Sequence, residues 1–185
     1  MIKRFVQCAA LVLIALSVPA MAAVVPGGGE IGFDYGNTQL DSNTGLDSAP
    51  SLAVRGGYFV NNRFQVEGQF ASTSDTQDVS GIDVDAKYRL YMVNGVFNFD
   101  TGKDLTPYVL VGVGMIDSTI EVPGFTFDDN GVAYQIGAGS RFYFGKNKRT
   151  AFRVDLSMIN ENTFDESSTH TNIAGGFTWN LGSGR

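Results

Sequence analysis

The chain has 185 residues, with 23 Gly, 14 Phe, 7 Tyr, 5 Pro and one Cys, and a formal net charge of -6. That length allows one or two domains, and Gly with aromatics in short strand-like segments favours an all-β sandwich or barrel. The negative charge makes nucleic acid a poor partner, and a lone Cys excludes an internal disulfide framework.

The N-terminus reads as a secretory signal. Met1-Ile2-Lys3-Arg4 is a short positive region, residues 5–18 are apolar, and Ala20-Met21-Ala22 is a small-x-small cleavage site. Cleavage is predicted between Ala22 and Ala23, which makes 1–22 the signal peptide and 23–185 the barrel domain. The competing reading is an N-terminal membrane helix, against which Pro19 and the cleavage site argue. Cys8 lies inside the signal and is not placed as a lipid anchor, so the mature chain has no thiolate chemistry. Losing Lys3 and Arg4 takes the net charge from -6 to -8.

Period-two alternation marks the strands that follow. In the first, Ile31, Phe33 and Tyr35 alternate with Gly32, Asp34 and Gly36. Residues 37–48 read as a polar loop. In the second, Leu52, Val54, Gly56 and Tyr58 oppose Ser51, Ala53, Arg55 and Gly57, and Asn61-Asn62 signals a tight turn. In the third, Phe64, Val66, Gly68 and Phe70 oppose Gln65, Glu67, Gln69 and Ala71. Residues 72–81 read as an acidic loop.

A long fourth strand lies within 84–99, and a polar turn leads to the fifth, within 106–115. There Val109, Val111, Val113 and Met115 oppose Tyr108, Leu110, Gly112 and Gly114. Residues 117–130 read as a loop. The sixth strand sets Val132, Tyr134, Ile136, Ala138, Phe142 and Phe144 against Ala133, Gln135, Gly137, Gly139, Arg141 and Tyr143. The seventh sets Phe152, Val154, Leu156 and Met158 against Arg153, Asp155 and Ser157. After an acidic loop at 160–170, the eighth sets Ile173, Gly175, Phe177, Trp179 and Leu181 against Asn172, Ala174, Gly176, Thr178 and Asn180.

Strands of about ten residues, joined alternately by long and short connections, suit a tilted crossing of a bilayer. The predicted fold is therefore an all-β, eight-stranded antiparallel up-and-down transmembrane barrel, with both termini on the periplasmic side. A soluble lipocalin-like carrier is the runner-up, with its apolar face inward. Aromatic placement favours the membrane. Tyr58, Phe64, Phe97, Phe99, Phe142, Phe144, Phe152 and Trp179 gather at the short-turn end, where a girdle belongs. The fourth strand is out of step. Tyr88, Leu90 and Met92 share one phase, while Val93, Gly95, Phe97 and Phe99 share the other. Either a bulge shifts the phase near Val93, or the upper half rises above the bilayer.

Several motifs carry a family resemblance. Asn94-Gly95-Val96-Phe97-Asn98-Phe99, Thr106-Pro107-Tyr108-Val109, Gly112-Val113-Gly114 and Tyr134-Gln135-Ile136-Gly137-Ala138-Gly139 resemble the small outer-membrane β-barrel family that includes OmpA- and OmpX-like proteins. The resemblance spans the mature chain. It implies a monomeric barrel of a Gram-negative outer membrane with a structural or adhesive role, assembled by the barrel assembly machinery. Its expected partners are outer-membrane lipid, lipopolysaccharide and a host or cell-surface ligand at the long loops. Gly176, Phe177, Trp179 and Leu181 resemble the family's C-terminal assembly signal, with Leu181 where Phe is usual and Gly182-Ser183-Gly184-Arg185 trailing behind.

The one histidine of the mature chain, His170, lies near Asp165, Glu166, Ser167 and Ser168. Outer-membrane lipid-modifying enzymes use serine and histidine, but adjacency in sequence is not triad geometry, and a solvated loop is the simpler reading. No catalytic residue and no cofactor are assigned. Asp128-Asp129-Asn130 and the Asp83, Asp85 pair could hold a hard cation, but lack EF-hand spacing and read as solubilising loops. Inside so narrow a barrel, charges must be paired. Asp34, Glu67 and Asp155 are therefore expected to meet Arg55, Arg141 and Arg153 in an interior network that plugs the bore, leaving no general pore.

Overall fold

The computed structural model describes residues 26–39, 48–79, 82–99, 104–163 and 166–182. The predicted signal peptide and the acidic positions Asp41, Asp47 and Asp165 lie outside the described residues. Eight strands follow in order: β1 (Gly29–Gln39), β2 (Ser48–Phe59), β3 (Phe64–Val79), β4 (Ile82–Asn98), β5 (Leu105–Val122), β6 (Phe125–Phe144), β7 (Thr150–Thr163) and β8 (Glu166–Asn180). Each pairs antiparallel with its chain neighbours, and β8 returns to β1, so the sheet closes into an up-and-down barrel. Closure satisfies the ladder bonds of every wall strand, as hydrocarbon surroundings require.

Burial along each strand alternates in the inverse sense to a soluble protein. On β2, Val54 is 53% exposed while its neighbour Arg55 is 6% exposed. Charge inside and Val, Phe and Tyr outside is what a lipid-facing wall demands. The lower girdle stands on the outer face, where Phe97 and Phe99 pack edge to face at 5.3 Å and Phe177 bridges Phe152 and Trp179 at 5.6 and 6.4 Å.

Three stretches expected to be loops are largely strand. Segment 72–81 belongs to β3 up to Val79 and to β4 from Ile82. Segment 117–130 is the continuation of β5 and β6 around Pro123-Gly124, where Gly124 takes φ 89°. Segment 160–170 is the end of β7 and the start of β8. The physical reason is that pairing needs backbone groups, not apolar side chains. Above the apolar band the outer face is polar and the inward face carries buried polar residues such as Ser118, Glu161 and His170, so the ladder continues while the apolar alternation that reveals it disappears. The β2–β3 ladder stops at Ser51↔Thr73 and the β6–β7 ladder at Val132↔Asn162. Those within β3–β6 run on to Val79↔Ile82 and Val122↔Phe125, so these four strands stand above the rim as a flap.

No bulge interrupts β4. Its register with β3 is continuous from Phe64↔Phe97 to Val79↔Ile82. Leu90, Met92, Asn94, Val96 and Asn98 all point into the bore, and Lys87, Arg89, Tyr91, Val93 and Phe97 point out. What changes along the strand is the filling of the bore. Near the short turns the bore is polar. Higher up it is closed by Ala53, Ala71, Leu90, Met92, Ile116, Ala133 and Ile159. The upper half of β4 is also the part that carries Lys87 and Arg89 outward, above the apolar wall.

Candidate functional site: the charged bore and the outer mouth

Five strands deliver the charges of the lower bore. Asp34 comes from β1, Arg55 from β2, Glu67 from β3, Arg141 from β6, and Arg153 and Asp155 from β7. The structure brings all six together. Arg55 donates from Nε to Asp34 and from Nη1 to Glu67 Oε1 at 3.1 Å, and its Nη2 lies 3.7 Å from Asp155. Arg153 forks onto Glu67 at 2.6 and 3.3 Å and onto Asp155 at 2.8 and 3.1 Å. Arg141 reaches Glu67 only at 3.9 Å. The guanidinium fork suits such two-sided pairing, since one plane serves two carboxylates.

Sequence reading missed four members of this cluster. Arg141 donates to Glu30 at 3.0 Å, to Gln65 Oε1 at 2.7 Å and to Asn98 Oδ1 at 2.7 Å. Glu30 shares the inward phase of Gly32 and Asp34, so extending the first strand by one step would have found it. Tyr108 is the fourth. It donates its hydroxyl to Asp155, and its ring lies between the guanidiniums of Arg141 and Arg153, 4.5 and 4.7 Å from their centres. A desolvated cation over an aromatic face is attracted by the ring quadrupole.

Small residues make room for these large ones. A Cβ on Gly139 would sit 2.3 Å from the Tyr108 hydroxyl and 2.4 Å from the Val154 carbonyl. Gly139→Ala must therefore push Tyr108 off Asp155 or shift β7. Urea unfolding of the refolded variant in lipid vesicles should show a loss of about 1–3 kcal/mol, typical of overpacking.

At the outer end His170 is not in a solvated loop. It stands on β8, 4% exposed, with Nε2 2.9 Å from Glu161 on β7 and its ring 6.4 Å from that of Tyr88. Register explains the burial: Ile159 faces His170 across the ladder, and both belong to the inward set of the upper bore. A cavity of about 30 Å³, room for roughly one water, lies beneath this pair between Thr38, Ser51, Thr73 and Asn172. Asp128 accepts the Thr119 hydroxyl at 2.8 Å, and Asp129 accepts the Asn130 amide at 2.9 Å. The Asp83 side chain lies outside the described residues. Among the described residues no group of three or more His, Cys, Asp or Glu is placed to hold a metal.

The C-terminal residues close the barrel. Phe177 and Trp179 face outward opposite Phe33 and Ile31 of β1, and Leu181 donates its amide to Gly29 at 2.7 Å. Gly176 faces inward beneath Asp34, where a Cβ would lie 2.6 Å from a carboxylate oxygen.

Comparison with known proteins agrees with this geometry. A family model described as outer membrane protein beta-barrel domain matches residues 8–182. No curated protein matches the chain. Among solved structures, Neisserial surface protein A superposes with a TM-score of 0.71 at 12% identity, covering 82% of this chain and 96% of that one. Ail, the attachment invasion locus protein of Yersinia pestis, gives 0.56 at 21% identity, covering 84% and 100%. It has also been crystallised with the heparin analogue sucrose octasulfate. The N-terminal β-barrel domain of Pseudomonas aeruginosa OprF gives 0.58 at 18% identity, covering 83% and 98%. At these identities the likeness shows the fold.

Proposed function

Because the chain belongs to the outer membrane protein beta-barrel domain family, we propose that it acts at the cell surface as a plugged barrel with a structural or adhesive role. The observation that supports this most is the bore. Three guanidiniums and four carboxylates fill its lower half, with Arg141 and Arg153 unexposed and Asp34, Glu67 and Asp155 no more than 2% exposed. An apolar layer closes the upper half. A barrel of eight strands has room only for side chains inside, and here they are held in ion pairs. A lipid-modifying enzyme is not favoured, because His170 faces the bore rather than the lipid-contacting wall. A soluble carrier is not favoured, because the apolar residues line the outside.

What the surface presents is the flap. Its β5–β6 hairpin carries Asp117, Glu121, Asp128 and Asp129 with no Lys or Arg between them. Ail is named for attachment and takes a polyanionic heparin analogue. The hairpin of this chain is itself anionic, like that analogue, so its expected partners are cationic, or anionic and bridged by Ca²⁺ or Mg²⁺. Such contacts between exposed charges weaken with salt. One preparation tests both halves of the proposal. Purified barrel in planar bilayers should give no stable porin-sized conductance, and the same protein in vesicles should capture polylysine in a salt-dependent manner but not heparin. Steady large conductance would overturn the plug, and divalent-independent heparin capture would overturn the charge reading of the flap.

A further inference from the structure

We propose that the cup at the outer end of the bore binds the head of a primary alkylammonium ion, the chemistry of a small linear amine, with its alkyl stem leaving through the mouth. Thr38, Ser51, Thr73 and Asn172 take the ammonium, and Glu161, held by His170, supplies the countercharge. The site lies inside the wall and is separate from the outward acids of the flap.

Four polar side chains converge on one small cavity. Thr38, Ser51, Thr73 and Asn172 all line it, and each is between 5% and 8% exposed. They come from four strands and step around one arc of the wall. Asn172 of β8 faces Thr38 of β1 across the ladder, Ser51 of β2 faces Thr73 of β3, and Thr73 faces Tyr88 of β4. The opposite arc of the cavity is apolar, made by Leu90, Ile116 and Ile159. Buried hydroxyls and amides lower stability unless they are bonded. Alanine or valine at these positions would simply extend the apolar plug. Their gathering on one cavity therefore points to a polar occupant.

Size selects the occupant first. The cavity of about 30 Å³ holds one water-sized group. That admits an ammonium head and excludes a quaternary ammonium, a sugar ring or a phosphate. Hydrogen bonding comes next. Ser51 donates its hydroxyl to Asn172 Oδ1 at 3.5 Å, a long bond, and keeps its own lone pairs as acceptors. With the hydroxyl oxygens of Thr38 and Thr73, this gives three hydroxyl acceptors around the cavity, matching the three N–H donors of a primary ammonium. Charge then separates an ammonium from a water. No Lys or Arg lines the cavity. His170 does, and its Nε2 lies 2.9 Å from Glu161, which is 3% exposed. A neutral imidazole that donates Nε2–H leaves this pair with a single negative charge. In surroundings of low dielectric that charge attracts a nearby cation far more strongly than it would in water. Asp117, Glu121, Asp128 and Asp129 of the flap add negative potential at the same end of the barrel, which concentrates cations there.

The way in is from the outer side. Beneath the cavity the apolar layer that includes Leu90, Met92 and Ile116 closes the bore. Above it stand the rings of Tyr88 and His170, with centres 6.4 Å apart. Tyr88 is half-buried, which leaves its ring room to turn aside and admit the head. An apolar stem leaving the cavity then lies along that ring, and the ammonium at its root gains attraction from the aromatic face. Acceptors, countercharge and aromatic rim are stacked on one axis, in the order a linear amine would meet them.

His170 is the single histidine of the chain, so its ring resonances report the site directly in NMR spectra of the full barrel in lipid nanodiscs. The probes are butylammonium, butyltrimethylammonium and butanol, titrated at neutral pH and constant ionic strength. Butylammonium should shift the His170 ring saturably, with an affinity about tenfold or more above that of the other two. Glu161→Gln should lower that affinity about tenfold, since it removes the countercharge. The Ser51→Ala, Thr73→Val double variant should lower it severalfold while keeping the Glu161–His170 pair. Heat-modifiable migration in gels reports that each variant is folded, and the double variant decides the matter if Glu161→Gln does not fold. Equal shifts with butanol would mean a cavity that takes only a neutral guest such as water. Equal binding of butyltrimethylammonium would mean attraction to the acidic flap rather than a seat in the cup. Either result overturns the site, as does the absence of a saturable shift with butylammonium or an unchanged affinity in the folded double variant.

Discussion

Val93→Arg should be among the most damaging single changes to this barrel in a bilayer, and nearly harmless if the chain were a water-soluble carrier. Val93 is 61% exposed on the outer face of β4. It lies close to halfway between Phe97 of the lower girdle and the headgroup-level Lys87. An arginine near the midplane of an outer-membrane barrel costs about 2–4 kcal/mol, and the cost falls to about 0–1 near the interfaces. Thr119→Arg, on the outer face of β5 in register with Lys87, is the depth control. Urea unfolding in lipid vesicles should therefore show a large loss for Val93→Arg and little for Thr119→Arg. Equal, small effects at both positions would mean that Val93 does not meet lipid.

The parts of the fold that the sequence discloses are those where two different solvents meet one strand. Along β2, lipid on one side and the polar bore on the other give Leu52, Val54, Gly56 and Tyr58 a phase opposite to Ser51, Ala53, Arg55 and Gly57, and any reading of period two finds it. Where that contrast fades, the sequence misleads. In the flap neither face is consistently apolar, so Ser118, Thr119, Asp128 and Asp129 look like loop although each is paired in the β5–β6 ladder. In the upper half of β4 the inward residues are apolar and the outward ones charged, the reverse of the lower half, so one continuous strand looks like two phases. His170 is a third case. Acidic and hydroxyl neighbours suggest a solvated loop, and only the register of β7 with β8 reveals that it shares the inward face with Glu161.

The charged bore is legible in kind but not in detail. The inward phase names Asp34, Arg55, Glu67, Arg141, Arg153 and Asp155, since each occupies the face opposite Val, Phe or Tyr. Which carboxylate meets which guanidinium depends on strand order around a closed barrel and on the stagger between neighbours. Neither is visible in a linear pattern. Tyr108 illustrates the difficulty. In sequence it is one more aromatic residue before a run of valines. In the barrel, the glycine at 139 opens the space that lets its ring lie between two guanidiniums.

Arg153→Met should cost more than any other change within the bore. Arg153 is 0% exposed and forks onto both Glu67 and Asp155. Its removal leaves two buried carboxylates with fewer partners. Glu67 keeps a hydrogen bond to Arg55 at 3.1 Å, and Asp155 keeps the Tyr108 hydroxyl. Breaking a buried pair by deleting one partner typically costs about 3–5 kcal/mol, because the remaining charge is uncompensated. Arg153→Lys preserves the charge but offers a point donor where the planar fork served four contacts, so it should recover only part of the loss. A compensated variant separates charge from packing. Arg153→Met combined with Glu67→Gln removes one charge of each sign and should recover a substantial part of the stability that Arg153→Met alone loses. The readout is the free energy of urea unfolding in vesicles. Near-additive losses in the double variant would mean that Arg153 and Glu67 are not energetically coupled, and that the lower bore is held by packing around Tyr108 rather than by its ion pairs.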